Sequence, residues 1–385
     1  MKNLVFKPLF LLLLVTVLAL GLLGAAPAAG TGSSSKPAVR MIIDTDIGVD
    51  DASAIAYLLQ FPAKVEILGI TTVAGNTTVE NSASNALLLL ETAGRTEIPV
   101  VVGAGAPLVL PASHQGMFVH GPDGLWFIGM QFPHDVSGLP HDATGFLCTR
   151  AEAGITLLAL GPLTNIANAV QQCPDKMSLY RIVWLGGAKA VQGEGNTPVS
   201  VFNPWFDPQA AEIVLGSGLS ITMVTTDAAR MVTISTDTIN KMTKQGNALG
   251  KLIAPALQQY ASLFATTSAG RHWKPRVALF DPTAAVLAVH PEWATASQSG
   301  LILVQTADGP ARGQTIIALT TLEHVSVLAS DGELSAIADQ VFSDPNFDQE
   351  AALGEILSRR PDNAQVILAV DSKRIAAEWL AALLH

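Results

Sequence analysis

Past residue 36 the chain alternates two hydrophobic periods. Short apolar runs with many β-branched residues fall at 38–43, 65–73, 99–102, 155–160, 181–185 and 220–225. Between them lie longer stretches with apolar residues at helical spacing, notably 52–60 and 79–93. A short, nearly continuous apolar run fits a strand covered on both faces. Such runs alternating with helical segments predict an α/β architecture, a mainly parallel central sheet flanked by helices in a Rossmann-like way. No linker-like break in composition follows residue 36, so 37–385 reads as a single domain. The C-terminal part differs. Segments 301–306 and 314–319 flank Ala307-Asp308-Gly309-Pro310-Ala311-Arg312-Gly313 and predict a hairpin, followed by a last strand at 365–370 and a closing helix at 375–384. Residues 104–145 form a long loop-rich stretch containing Gly, Pro and His, and loops of that length in a compact domain are often functional.

The first 36 residues stand apart. Lys2 and Lys7 precede an uncharged aliphatic run from Leu9 to Ala26, and Ala26-Pro27-Ala28 supplies the small residues that a signal peptidase cuts after. We read 1–28 as a signal peptide and 29–36 as a flexible lead-in, with an uncleaved membrane anchor as the competing reading. On the first reading the mature protein is secreted, or periplasmic or extracellular. Cleavage removes two positive charges and no acid, taking the formal net charge from −10 to −12.

Composition narrows the partners. Charged residues make up only 14% of the chain, against roughly 25% in an average soluble domain, which excludes disorder and favours a large core. The net negative charge and the lack of a Lys/Arg cluster exclude a nucleic acid polymer as partner. The two cysteines, Cys148 and Cys173, are too few for a zinc ribbon or a disulfide scaffold. Export permits them to pair, and two separate buried thiols are the other reading.

The strongest chemical signal directly follows the first predicted strand. Asp44-Thr45-Asp46-Ile47-Gly48-Val49-Asp50-Asp51 places four carboxylates within eight residues, ahead of a predicted helix. In an open parallel sheet, ligands bind beyond the carboxyl ends of the strands. Carboxylates this close repel one another unless a cation neutralises them, and a hard divalent ion with oxygen ligands does so. Gly48 gives the segment the freedom to turn both ends toward one point. A single Asp here would read as a helix cap; four beside a glycine read as a site.

The segment resembles the N-terminal Asp-x-Asp-Pro-Gly-x-Asp-Asp signature of the inosine–uridine-preferring nucleoside hydrolase family, with Ile47 where the family usually has Pro. Further blocks follow in order. Thr71-Thr72-Val73-Ala74-Gly75-Asn76 resembles the second-strand motif, and His120-Gly121-Pro122-Asp123-Gly124-Leu125 the His-Gly-x-x-Gly-Leu loop. Gly161-Pro162-Leu163-Thr164-Asn165-Ile166-Ala167 resembles the Leu-Thr-Asn-Ile-Ala turn. Phe202-Asn203 with Asp207-Pro208, then Asp281-Pro282, then Arg312-Gly313-Gln314-Thr315 complete the series.

The resemblance implies calcium-dependent hydrolysis of the N-glycosidic bond of ribonucleosides, giving a free base and ribose. Asp46, Asp51, the Thr164 carbonyl and Asp281 would hold Ca2+ at the C-terminal ends of the strands. The ion would acidify a water and Asp46 would take its proton. Asp50, Asn76, Asn196 and Asn203 would contact the sugar, with His120 and Phe280 also at the substrate. A homodimer or homotetramer is also implied. Two departures stand out. Val201 replaces a Glu expected to contact the ribose 5′-hydroxyl. Phe280 stands where one branch of the family has a His acid and another has a stacking aromatic; Phe has no proton to donate, so a substitute acid would come from His120, His272 or Tyr260. Two other readings compete. One is a secreted nucleoside or sugar binder of the same fold with little turnover. The other is a haloacid dehalogenase-type phosphatase with Asp44 as nucleophile and Asp46 as acid.

Overall fold

A computed structural model describes residues 37–385 apart from 115, 191–196 and 267–275. Asn196 and His272 lie outside the described residues. The strands are β1 (Val39–Thr45), β2 (Val65–Thr72), β3 (Val100–Val102), β4 (Thr156–Ala159), β5 (Arg181–Leu185), β6 (Ser220–Val224), β7 (Thr233–Ser235), β8 (Arg276–Ala278), β9 (Ala294–Val304), β10 (Thr315–Ala318) and β11 (Ala364–Val370).

Nine of these form one sheet in the order β10-β9-β11-β6-β5-β4-β1-β2-β3. From β3 across to β11 every neighbouring pair is parallel, while β9 and β10 add an antiparallel edge. The predicted hairpin is therefore real, and the last strand inserts between it and β6. The short pair β7–β8 is antiparallel and separate.

The period-two alternation explains how the sheet is covered. Met41 and Ile43 of β1, Leu158 of β4 and Val183 and Leu185 of β5 enter one hydrophobic core. Their neighbours Ile42, Leu157, Ile182 and Trp184 enter a second core on the other face. Successive strand residues point to opposite sides, so each strand supplies both layers. On the first face the helix Val49–Leu59 packs against the helix Phe280–Val289, all of whose residues are buried.

Element ends differ from expectation where chemistry intervenes. β1 runs on through Asp44 to Thr45. The first helix begins at Val49 rather than at 52, with Asp50 and Asp51 in its first turn. Segment 104–145 is broken by the turns Met117–His120 and Ile128–Gln131, and the helix Ala143–Arg150 begins inside it. Cys148 and Cys173 form a disulfide that ties that helix to the end of the helix Thr164–Gln172, closing the open choice between a bond and two thiols.

Candidate active site and metal centre

β1 neighbours β2 on one side and β4 on the other. The chain winds outward in opposite directions from the β1/β4 pair, and a crevice forms beyond the strand ends where the winding reverses. Into this crevice β1 sends Thr45 and Asp46, β2 is followed by Asn76, and β4 leads to Thr164. Three helices start here as well: Val49–Leu59, Thr164–Gln172 and Phe280–Val289. Asp50 and Asp51 lie in the first turn of one and Asp281 in the first turn of another. A helix N-terminus carries partial positive charge, which favours acids at those positions.

One carboxylate oxygen from each of Asp50, Asp51 and Asp281 comes within 4.8 Å of the others. Asp51 is fully buried and held by several donors. Thr45 Oγ1 donates to its Oδ1 at 2.5 Å, while Gly48 N (3.0 Å) and Asn76 Nδ2 (2.9 Å) donate to Oδ2. Asp46 is equally buried; Asn76 N donates to its Oδ2 at 2.7 Å, and its Oδ1 has no partner. Asp281 Oδ1 is likewise buried without a partner. Burial, then the repulsion of neighbouring acids, raises Asp46 and Asp281 well above the usual carboxylate range. Buried, orphaned acid oxygens facing like charges are what a bound cation relieves, and an all-oxygen donor set suits a hard ion. The residues therefore fit a metal.

Glycines keep the pocket open. A Cβ at Gly75 would collide with the Asp46 carboxylate, and one at Gly161 would lie 2.9 Å from Asp46 Oδ1. Gly48 backs onto His120, whose Nδ1 a Cβ there would approach to 2.5 Å. His120 Nδ1 accepts a hydrogen bond from Val49 N at 3.1 Å and lies 3.7 Å from Asp50. Burial lowers its pKa to about 4, so the ring is neutral at pH 7. The ring also stacks on Tyr260, with centroids 5.6 Å apart.

Phe280 is buried immediately before Asp281 and belongs to the core of that face. Thr164 is buried at the start of its helix, with its hydroxyl donating to Asp207 Oδ2 at 2.7 Å. Asn203 spends both amide hydrogens on strand-end carbonyls, those of Leu160 (2.5 Å) and Leu185 (2.9 Å), which leaves Oδ1 as its polar atom for a ligand. Asn76 serves the acids through both its backbone and its side chain. Arg312 and Gly313 are structural. Arg312 donates to the carbonyls of Trp205 and Phe206, while the tight backbone of Gly313 lets the hairpin turn meet the helix that bears Asn203.

Asp44, counted with the acid cluster in the sequence, instead forms an organising network with Asn165, to which the sequence reading assigned no site role. Asp44 Oδ1 accepts from Thr71 Oγ1 (2.5 Å) and Asn165 Nδ2 (2.8 Å), and burial pushes the acid up to about 7. Asn165 also donates to the Thr72 carbonyl and accepts from Ala104 N, both within 2.9 Å. One amide thus ties together the ends of β1, β2 and β3. Its signal in the sequence was its place inside a motif block. A separate cavity of about 610 Å³ opens at the opposite, N-terminal end of the strands, lined by Leu219, Ile302, Arg360 and Asn363 among others. It gathers no acid cluster and shares no residue with the crevice.

Comparison with known proteins agrees with this geometry. The family model for inosine-uridine preferring nucleoside hydrolase matches residues 41–377. A probable uridine nucleosidase 2 of Arabidopsis thaliana is 37% identical over 285 residues, spanning 72% of this chain and 85% of the relative. The non-specific ribonucleoside hydrolase RihC of Salmonella paratyphi B is 34% identical over 295 residues, spanning 73% and 93%. Among solved structures, a plant nucleoside hydrolase, PpNRh1, superposes with a TM-score of 0.73 at 29% identity, covering 90% of this chain and 99% of that one. The acid crevice at the sheet's winding reversal, and a family match running through almost all of the described domain, set aside the phosphatase reading: the chain belongs to the inosine-uridine preferring nucleoside hydrolase family and is an N-glycosyl hydrolase.

Proposed function

We propose that the protein hydrolyses ribonucleosides to free base and ribose with a calcium ion held by Asp46, Asp51, Asp281 and the Thr164 carbonyl. The observation that carries this reading is the pair of buried, partnerless oxygens on Asp46 and Asp281 beside the carboxylates of Asp50 and Asp51. Bound there, the ion supplies positive charge that acidifies a water and orients sugar hydroxyls. Asp46 takes the proton. Its Oδ2 is fixed by Asn76 N, so Oδ1 is the free acceptor. Asp50, whose carboxylate converges with those of Asp51 and Asp281, binds a ribose hydroxyl or shares the ion. Asn203 Oδ1 accepts from a second hydroxyl. The sugar develops oxocarbenium character as the bond breaks, and Phe280, which offers the base at most the small exposed part of its ring, has no proton to give, so the leaving group is assisted from elsewhere. The names of the relatives, a uridine nucleosidase and a non-specific ribonucleoside hydrolase, support a nucleoside substrate.

Export through residues 1–28 belongs to the same proposal. It is supported by the apolar run with its flanking lysines and by the Cys148–Cys173 bond, which persists in oxidising compartments. Among the described residues no helix is long and apolar enough to cross a membrane.

The test is reducing-sugar release from inosine, uridine, adenosine and cytidine, before and after chelation. Chelation abolishes release and added Ca2+ restores it, while Asp46→Ala lowers kcat by roughly 10³-fold or more with an unchanged circular dichroism spectrum. Full activity in chelator, or wild-type turnover by Asp46→Ala, sinks the metal and base assignments. Tight nucleoside binding without ribose release favours the binder reading instead.

A further inference from the structure

We propose that Asp123 is a positioning residue: its carboxylate holds a strained aromatic turn that presses His120 against the acid-bearing loop. The proposal rests on the nucleoside hydrolase reading only in taking His120 to face substrate.

Asp123 is buried, with 2% of its surface exposed, and both of its oxygens are used. Leu125 N (3.0 Å) and Phe127 N (2.9 Å) donate to Oδ1, and Met130 N (3.0 Å) donates to Oδ2. The residues it bridges are unusual. Among the described residues, Trp126 and Phe127 are the non-glycine positions with positive φ, at 51° and 73°, and they are adjacent. Large aromatic side chains rarely take that backbone, and such outliers persist only where surrounding bonds enforce them. Three N–H groups converging on one carboxylate provide that enforcement.

The reversed backbone acts directly on His120. Trp126 N donates to the His120 carbonyl at 3.0 Å, and the Trp126 indole Nε1 donates to the Val119 carbonyl at 2.9 Å. The same turn is seated on the loop between β1 and the first helix. Asn85 Nδ2 donates to the carbonyls of both Asp123 (2.8 Å) and Ile47 (3.4 Å). At Gly124, with φ of 86°, a Cβ would come 2.5 Å from the Ile47 carbonyl. His120 is thereby set with Nδ1 accepting from Val49 N, which places its proton on Nε2. An Asn at 123 keeps one acceptor oxygen and replaces the other with a donor facing a backbone N–H. It cannot hold all three bonds.

The experiment uses the full-length protein and two independent readouts. The first is ribose release from inosine and uridine by wild type, Asp123→Asn, His120→Gln, the double variant, and Asp123→Asn combined with Phe127→Gly. Asp123→Asn lowers kcat/KM about tenfold, the double variant is no worse than His120→Gln alone, and Phe127→Gly regains most of the loss because glycine takes positive φ freely. Additive losses, or no recovery with glycine, overturn the proposal. The second readout is the long-range ¹⁵N spectrum of the histidine rings, with His120 identified by its loss in His120→Gln. Wild type gives a fixed Nε2–H tautomer; Asp123→Asn averages it, and Trp126→Phe, which removes only the indole bond, shifts it in the same direction. A His120 signal unchanged in both variants overturns the proposal. A wild type that releases no ribose sinks the nucleoside reading alone, and the spectra then decide the role of Asp123.

Discussion

Gly75 shows how little room the acid crevice leaves. Its missing side chain is what lets the loop after β2 lie over Asp46, and the neighbouring Asn76 then donates to both Asp46 and Asp51. Gly75→Ala therefore displaces the carboxylate rather than merely crowding it. We expect a loss of kcat on the order of 10²-fold, since a misplacement near 1 Å at a reacting group costs about that much. Gly94→Ala is the control for a glycine change remote from the site, with nothing near its Cβ position and only a local backbone cost. Ribose release by the two variants checks this: equal activities would mean that Asp46 tolerates the shift. At this scale the acid cluster was legible in the sequence because four carboxylates crowd into eight positions, although one of them, Asp44, turns out to brace the strand ends through Thr71 and Asn165. Asp123 stands in the sequence only as one position of the His120–Leu125 motif. Its role depends on Leu125, Phe127 and Met130 turning their N–H groups inward, which no local pattern encodes.

The strands and the first helices follow from hydrophobic period, with the shortness and β-branched content of the apolar runs separating buried strands from buried helices. The segment 79–93 is predicted and observed with the same bounds, because Thr78 caps its start through Asn81 N and Gly94 ends it with φ of 66°. The helices Thr321–Leu328, Asp331–Ser343 and Gln349–Leu357 were not predicted. Asp331–Ser343 has no buried residue, so its apolar positions mark no core face. Its start signal was nonetheless present, as Ser330 and Glu333 form a capping box, and Thr320 and Glu323 form another. Glu323 also binds Lys189 Nζ at 2.6 Å, which fastens the end of the β5 loop to this region. That bond, with those from Leu319 N and Thr320 N, lowers the Glu323 pKa from 4.5 to about 2. A depressed acid contributes stability above its unfolded pKa and loses it as pH falls through the folded one. Glu323→Gln should thus lower stability at pH 7 by on the order of 0.5–1 kcal/mol, discounted because the pair is partly solvated, with the gap to wild type closing between about pH 4.5 and 2. Denaturant melts at pH 7 and pH 2.5 measure it; a gap independent of pH would rule out the ion pair as its source.

At the level of the whole molecule, the parallel sheet and its antiparallel edge were readable, while the order of strands was not. Nothing in the runs themselves says that β11 lies between β6 and β9, because that pairing joins segments far apart in the chain. The same holds for Asp281, which meets Asp51 only because two helices pack side by side. The disulfide is the other long-range tie. It closes a 25-residue interval, so in the chain-entropy account Cys148→Ser costs roughly 3.5 kcal/mol. Thermal unfolding of the variant against wild type, each with and without reductant, checks this; identical midpoints in all four samples would deny the bond any mechanical role. The consequence reaches production of the protein. The cross-link anchors the end of the helix that opens with Thr164, so material folded in a reducing cytosol and material folded under oxidising conditions would share every residue from 37 to 385 yet differ in heat tolerance, and a preparation's thiol count should accompany any activity ascribed to it.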